Sequence, residues 1–137
     1  MKNILVTGGC GFIGSNFVKY IISLENYFPI ILDKLTYAGN MDNLSQIDEN
    51  CFNFINGDIC DEQLLYDLFR TYQFEGVFHF AAESHVDRSI EGPREFINTN
   101  IVGTFNLLQA SRAYIKRNDQ NFKFIHVSTD EVYGDLD

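Results

Sequence analysis

The feature that most constrains this chain is the run Gly8-Gly9-Cys10-Gly11-Phe12-Ile13-Gly14, set between a short apolar segment and an amphipathic one. Asn3-Ile4-Leu5-Val6-Thr7 precedes it. From Ser15 to Leu24, Phe17, Val18, Ile21 and Ile22 recur at the spacing of one helix face. A strand, a glycine turn and a helix in that order are the context a dinucleotide fingerprint requires. The glycines have separate tasks. Gly8 permits the tight turn, Gly11 lets backbone approach a pyrophosphate, and Gly14 lets the helix pack close to the strand. The helix N-terminus would offer unpaired N–H groups and a positive dipole end to the phosphates. The spacing is Gly-x-x-Gly-x-x-Gly, the looser form of the motif, and alone it also fits an ordinary turn.

A second strand, Pro29-Ile30-Ile31-Leu32, ends on Asp33, about twenty residues past the glycine loop, where the fingerprint expects a ribose-binding carboxylate. A carboxylate there accepts hydrogen bonds from the adenosine 2′-hydroxyl and repels a 2′-phosphate. NAD is therefore expected in preference to NADP, with Lys34 as a basic neighbour that softens the repulsion.

The remaining chain alternates strands and helices without a break in composition. Thr36 to Asn50 reads as a polar connection with a turn at Gly39-Asn40. Cys51 to Ile55 reads as a strand closed by Asn56-Gly57-Asp58. Asp61 is placed to cap a helix running through Tyr72, with Leu64, Leu65, Leu68 and Phe69 on its buried face. Gly76 to Ala82 is apolar enough for a strand covered on both faces. Pro93 opens a long helical stretch to about Arg117, with apolar Phe96, Ile97, Ile101, Phe105, Leu108 and Ala113, and a last strand begins at Phe122. The expected pattern is βαβαβαβαβ in one domain over residues 1–137. It is an α/β fold, a doubly wound parallel sheet of Rossmann type with about five strands.

Composition narrows the function classes. Hydrophobic residues at 45% and charged residues at 21% describe a globular rather than a disordered chain. A net charge of −9 argues against nucleic acid or an acidic membrane as partner. It also means that an anionic ligand must be held by local N–H groups rather than by the field of the whole chain. No segment resembles a signal peptide, and no apolar run approaches the ~20 residues of a membrane span, so a cytoplasmic location is expected. Cys10, Cys51 and Cys60 are odd in number and lack metal-ligand spacing, which favours reduced thiols and no metal. His79 and His126 lie within apolar strands and His85 follows one, settings where histidines that pack in the core or support a site from behind outnumber catalytic ones.

The last strand delivers Ser128-Thr129-Asp130-Glu131 to a strand end. In an open parallel sheet such ends face the ligand crevice. An acid and a base there would supply proton donor and acceptor to one substrate. The residues alone leave a second reading open, a solvated Asp-Glu turn ahead of Gly134.

These segments together resemble the dTDP-glucose 4,6-dehydratases of the extended short-chain dehydrogenase/reductase superfamily. The resemblance runs the length of the chain. It is carried by Thr7 to Gly14, by Asp33-Lys34-Leu35-Thr36-Tyr37-Ala38-Gly39-Asn40, and by Gly57-Asp58-Ile59-Cys60-Asp61. It continues through Ala81-Ala82-Glu83-Ser84-His85-Val86-Asp87-Arg88-Ser89-Ile90, Thr99 to Thr104, and Ser128 to Gly134. The glycine loop is common to the superfamily, whereas the DKLTYAGN, AAESHVDRSI and STDEVYG runs are far more specific.

The resemblance implies roles. Phe12 and Ile13 would line the pyrophosphate loop, and Asp33, Lys34, Leu35 and Thr36 would hold the adenosine. Asp58 and Ile59 would flank the adenine. Phe80, Ala81, Ala82 and Ser84 would run beside the nicotinamide half, with Thr99 touching the cofactor from the long helix. Ser84 and Thr129 would hydrogen-bond the sugar of dTDP-glucose. Oxidation at C4 acidifies the C5 proton, which Glu131 would remove while Asp130 protonates the departing C6 hydroxyl. Hydride return to C6 leaves NAD as it began. Such a pair needs environments that separate its two pKa values. Asp130 would select dehydratase over the related epimerases and decarboxylases. The parent enzyme would be a homodimer, with the long helix at its interface.

One departure matters. The superfamily's oxidation base is the tyrosine of a Tyr-x-x-x-Lys helix, and no tyrosine here has lysine four positions later. Tyr66 has Arg70, Tyr114 has Asn118 and Tyr133 has Asp137. The chain is therefore expected to be the NAD-binding half of a larger enzyme, inactive alone, with later strands and the substrate domain missing. A stand-alone nucleotide-binding module, or half of a partner-completed enzyme, is the alternative.

Overall fold

A computed structural model describes residues 1–118 and 121–135. Five strands form one sheet: β1 (Lys2–Thr7), β2 (Tyr27–Asp33), β3 (Asn53–Asn56), β4 (Phe74–His79) and β5 (Lys123–His126). Their spatial order is β3-β2-β1-β4-β5, and every adjacent pair is parallel. The doubly wound parallel sheet expected from the alternation is present, with the first strand of the sequence at its centre.

Position in the sheet explains composition. In β1, Ile4, Leu5 and Val6 are all buried, as a central strand covered on both faces requires. Side chains alternate between two cores. Leu5, Ile30 and Leu32 point to one face, where Leu65, Leu68 and Phe69 of α2 (Glu62–Thr71) pack with Leu107 and Tyr114. Ile4, Val6 and Ile31 point to the other, against Val18 and Ile21 of α1 (Phe12–Ser23) and Leu44. Helix α2 begins as expected, with the Asp61 carboxylate accepting the Leu64 N–H at 3.0 Å.

Four local expectations are corrected. The β2–β3 crossover contains no α-helix. Two 3-10 turns, Met41–Leu44 and Glu49–Cys51, make the connection, and Leu44 plugs the core in place of a helix face. Strand β3 starts at Asn53 rather than Cys51, because Cys51 closes a turn capped by Asp48. Strand β4 stops at His79 rather than Ala82. Its partner β1 turns away at Gly8, so the Phe80 N–H to Thr7 carbonyl bond is the last rung.

The long helix is also not uniform. A short α3 (Val86–Glu91) precedes a break at Gly92, and α4 (Pro93–Phe96) leads into a π-helical segment, Ile97–Gly103, before α5 (Thr104–Asn118). The wider π turn lets Gly103 lie against Ile59, where a Cβ at Gly103 would collide with the Ile59 side chain. Ile97, Ile101, Phe105 and Leu108 stay exposed on the outer side, while Leu107, Ala110 and Tyr114 enter the core. Among the described residues no helix is long and apolar enough to cross a membrane.

Candidate functional site

Because all strands run parallel, their carboxyl ends share one edge. Onto that edge the chain delivers the glycine loop after β1, Asp33 ending β2, Asp58 after β3, Phe80 to Ser84 after β4, and Thr129 to Glu131 after β5. Strand order reverses between β1 and β4, and such a switch opens a crevice at this edge.

The glycine loop is a tight turn that leads directly into the N-terminus of α1. Gly8 has φ +70°, and a Cβ there would come 2.6 Å from the Ala81 nitrogen. Side chains at Gly14 are excluded as well, since a Cβ would strike the Gly8 carbonyl oxygen. Gly11 is the N-cap of α1 and provides no side-chain cap, so the first turn presents its N–H groups outward. Phe12 is 82% exposed and Ile13 is also exposed, on the rim of this turn.

Asp33 is 9% exposed and ties the two loops together. Its Oδ2 accepts the Cys10 N–H at 2.8 Å, and its Oδ1 accepts the Leu35 N–H at 2.8 Å. Leu35 adopts φ +55°, a left-handed conformation that costs a branched residue energy and that the Asp33 bond holds in place. Thr36 begins the turn in which its carbonyl accepts the Gly39 N–H. Burial, followed by the Asp33 charge, pushes the Cys10 thiol up to about 12, so this cysteine is a packing residue rather than a nucleophile.

Lys34 reaches across to the turn after β3, where its ammonium lies 2.7 Å from Asp58 Oδ2. Burial works against the Asp58 carboxylate, but the Lys34 ammonium and the Cys60 N–H together hold its pKa below the usual value. The hydrogen bond to Asp58 raises that of Lys34. Ile59 is 4% exposed with its side chain in the core, so it can face a ligand only through backbone.

Beyond β4, Phe80 packs on Phe17 at a centroid distance of 5.1 Å, and the Ala81 N–H bonds Thr7 Oγ1 at 3.4 Å. Ala82 and Ser84 are exposed. Asn100 fixes this loop by two bonds: Glu83 N–H to Asn100 Oδ1, and Asn100 Nδ2 to the Glu83 carbonyl, each 2.8 Å. Thr99, its neighbour in the π segment, is half-buried. Beneath the loop His79 is fully buried, with Nδ1 2.6 Å from Thr7 Oγ1 and Nε2 2.9 Å from Thr104 Oγ1. Burial, then the charge of His126 stacked 4.8 Å away, pushes His79 down to about 4. It is a core histidine, as its strand setting implies, whereas His85 and His126 are exposed.

The acidic pair occupies a 3-10 turn, Asp130–Tyr133, with Thr129 as N-cap. Thr129 Oγ1 donates to Asp130 Oδ1 at 3.3 Å and accepts the Glu131 N–H at 3.4 Å. All three side chains are exposed, on the strand end next to the Ser84 loop. Sequence reading missed Asn100, the Lys34–Asp58 bridge and the stacking of Arg88 on Tyr37 at 3.9 Å, which joins α3 to the loop after β2.

The chain matches known proteins along nearly its whole length. A family profile described as GDP-mannose 4,6 dehydratase covers residues 5–137. A dTDP-glucose 4,6-dehydratase of Salmonella typhimurium is 54% identical over 140 residues, spanning 97% of this chain and 38% of the relative. Among solved structures, the dTDP-glucose 4,6-dehydratase of Bacillus anthracis in complex with NAD aligns at TM-score 0.83 and 42% identity, covering 100% of this chain and 40% of that one. The corresponding enzyme of Streptomyces venezuelae, also with NAD bound, aligns at TM-score 0.85 and 44% identity, covering 98% and 42%. The chain thus spans about two fifths of the relatives it matches. Its glycine loop, strand order and profile match over residues 5–137 agree, and the chain belongs to the GDP-mannose 4,6 dehydratase family, with dTDP-glucose 4,6-dehydratases as its sequence relatives.

Proposed function

We propose that residues 1–137 form the NAD-binding part of a cytoplasmic dTDP-glucose 4,6-dehydratase. The observation that carries this reading is that Thr129, Asp130 and Glu131 share the carboxyl edge of the sheet with a glycine loop whose Gly8 and Gly14 leave no room for side chains. Bound NAD would supply reversible oxidation at the sugar C4. The α1 N-terminus and Gly11 hold the pyrophosphate, and Asp33 has lone pairs left for ribose hydroxyls. Lys34, Leu35, Thr36, Asp58 and Ile59 surround the adenosine. Phe80, Ala81, Ala82 and Ser84, with Thr99, border the nicotinamide half.

Thr129 and Ser84 orient the sugar of dTDP-glucose. Glu131 takes the C5 proton and Asp130 gives a proton to the C6 hydroxyl as it leaves as water. The C4 hydroxyl needs a further base, and the Tyr-x-x-x-Lys pair that would serve is not in this sequence. The chain alone therefore binds NAD without turnover, and the longer enzyme carries both. Incubation with NAD and dTDP-glucose tests this: the 4-keto-6-deoxy product forms with the longer enzyme and not with the chain. Product from the chain above a Thr129, Asp130 and Glu131 triple-alanine control would overturn the division of labour.

A further inference from the structure

Asp33 followed directly by Lys34 sends opposing signals to a cofactor phosphate. The carboxylate repels a 2′-phosphate, and an ammonium one residue away attracts it. In the structure Asp33 is committed in place by the Cys10 and Leu35 N–H groups. Lys34 is turned away from it, 2.7 Å from Asp58 Oδ2 and 4.0 Å from Glu95 Oε2. The Asp58 carboxylate is itself anchored, its Oδ1 accepting the Cys60 N–H at 2.9 Å. Ion pairs as exposed as Lys34–Asp58 contribute little to stability. The consequence of this one lies in where it keeps the ammonium.

We propose that Asp58 is a cofactor-selectivity residue, which holds the Lys34 ammonium in an ion pair and so withdraws from a 2′-phosphate the cation adjacent to Asp33. This deepens the NAD reading above and rests on it. The effect is carried by three elements far apart in sequence: the end of β2, the turn after β3, and Glu95 in the first turn of α4. With Asp58 in place, two carboxylates, Asp58 and Glu95, face one ammonium, and the repulsion from Asp33 decides the choice. Without it, Lys34 keeps only the longer 4.0 Å pair with Glu95 and can form the charge-assisted contact that a 2′-phosphate offers and a 2′-hydroxyl does not.

The test compares NADH and NADPH affinities by fluorescence titration for the wild type, Asp58→Asn, Lys34→Met and the double variant. It is done on the 137-residue chain and on the longer enzyme. Because Asp58 and Lys34 also border the shared adenosine, the readout is the ratio of the two affinities, in which common losses cancel. Asp58→Asn should raise the NADPH-to-NADH ratio by about ten-fold, the scale of one charge-assisted hydrogen bond. Lys34→Met should leave the wild-type ratio within about two-fold, and the double variant should return to it. No gain in Asp58→Asn overturns the proposal, and so does a gain that persists without Lys34, since that would be through-space charge alone. A wild type that prefers NADPH, or binds neither, sinks the NAD reading itself, whatever Asp58 does to the ratio.

Discussion

The Asp33 carboxylate accepts the backbone N–H of Cys10 at 2.8 Å, so the residue expected to select the cofactor also fastens the glycine loop. Selectivity and loop shape are therefore coupled. Asp33→Ala should narrow the NAD preference by about 1–3 kcal/mol, the scale of a lost charge-assisted bond. It should also lower thermal stability, because the Cys10 and Leu35 N–H groups lose their acceptor. Parallel titration with both cofactors and a melting curve check the two effects. Unchanged stability would mean that the loop holds its shape without this carboxylate.

His79 makes stability depend on pH. Its folded pKa of about 4 lies below the ordinary 6.5. Above pH 6.5 the ring is neutral in both states and the folded state keeps its full advantage. As pH falls from 6.5 towards 4, the unfolded chain takes up a proton that the folded chain refuses, so stability drops. The loss should amount to about 2–3 kcal/mol. Urea unfolding at several pH values should give a flatter profile for His79→Gln than for the wild type. Coincident slopes would mean that the buried ring is charged when folded.

The outer face of the long helix should associate. Ile97, Ile101, Phe105 and Leu108 are exposed along the π segment and α5. Contiguous apolar patches of this kind mark interaction surfaces. Light scattering over a concentration series should show self-association, and Phe105→Glu should reduce it. A wild type that stays monomeric at high concentration would count against a homodimer built on this helix.

Much of this architecture was legible because the forces that create it are local. Asp61 caps α2 through an N–H three residues on, and Gly8 and Gly14 serve a turn contained in one heptapeptide. Distant partners were not legible. The apolar run after Gly76 looks continuous to Ala82, but a strand ends where its neighbour does, and β1 leaves the sheet at Gly8. Leu44 fills the space of an absent crossover helix, a substitution visible only once both layers are packed. Lys34 and Asp58, like Glu83 and Asn100, meet only because the sheet brings their loops to one edge. Thr129, Asp130 and Glu131 were legible as a group, since three consecutive residues after a strand need no tertiary contact to be neighbours.

For the longer enzyme, Asp130→Asn should slow loss of water more than oxidation at C4, because the leaving hydroxyl needs the acid and the oxidation does not. General acid removal costs ~10²–10⁴-fold. Reduced cofactor should accumulate in a single turnover, followed by its absorbance. Blocked cofactor reduction with fast elimination would reverse the roles assigned to the pair.

The placement of β1 bears on how the chain is made. Lys2–Thr7 is synthesised before the other four strands but occupies the middle of the sheet, between β2 and β4. At about 5–20 residues per second, β4 follows it by roughly 4–14 s. Through that interval one whole edge of an apolar strand has no partner, and long-range parallel pairing is intrinsically slow. The glycine loop depends on both neighbours, through Gly8 N–H to Leu32 and the backbone of Phe80 and Ala81. A nascent chain that stops short of β4 should thus be a client for chaperones, and nucleotide would not rescue it, because the glycine loop is finished only when β4 docks.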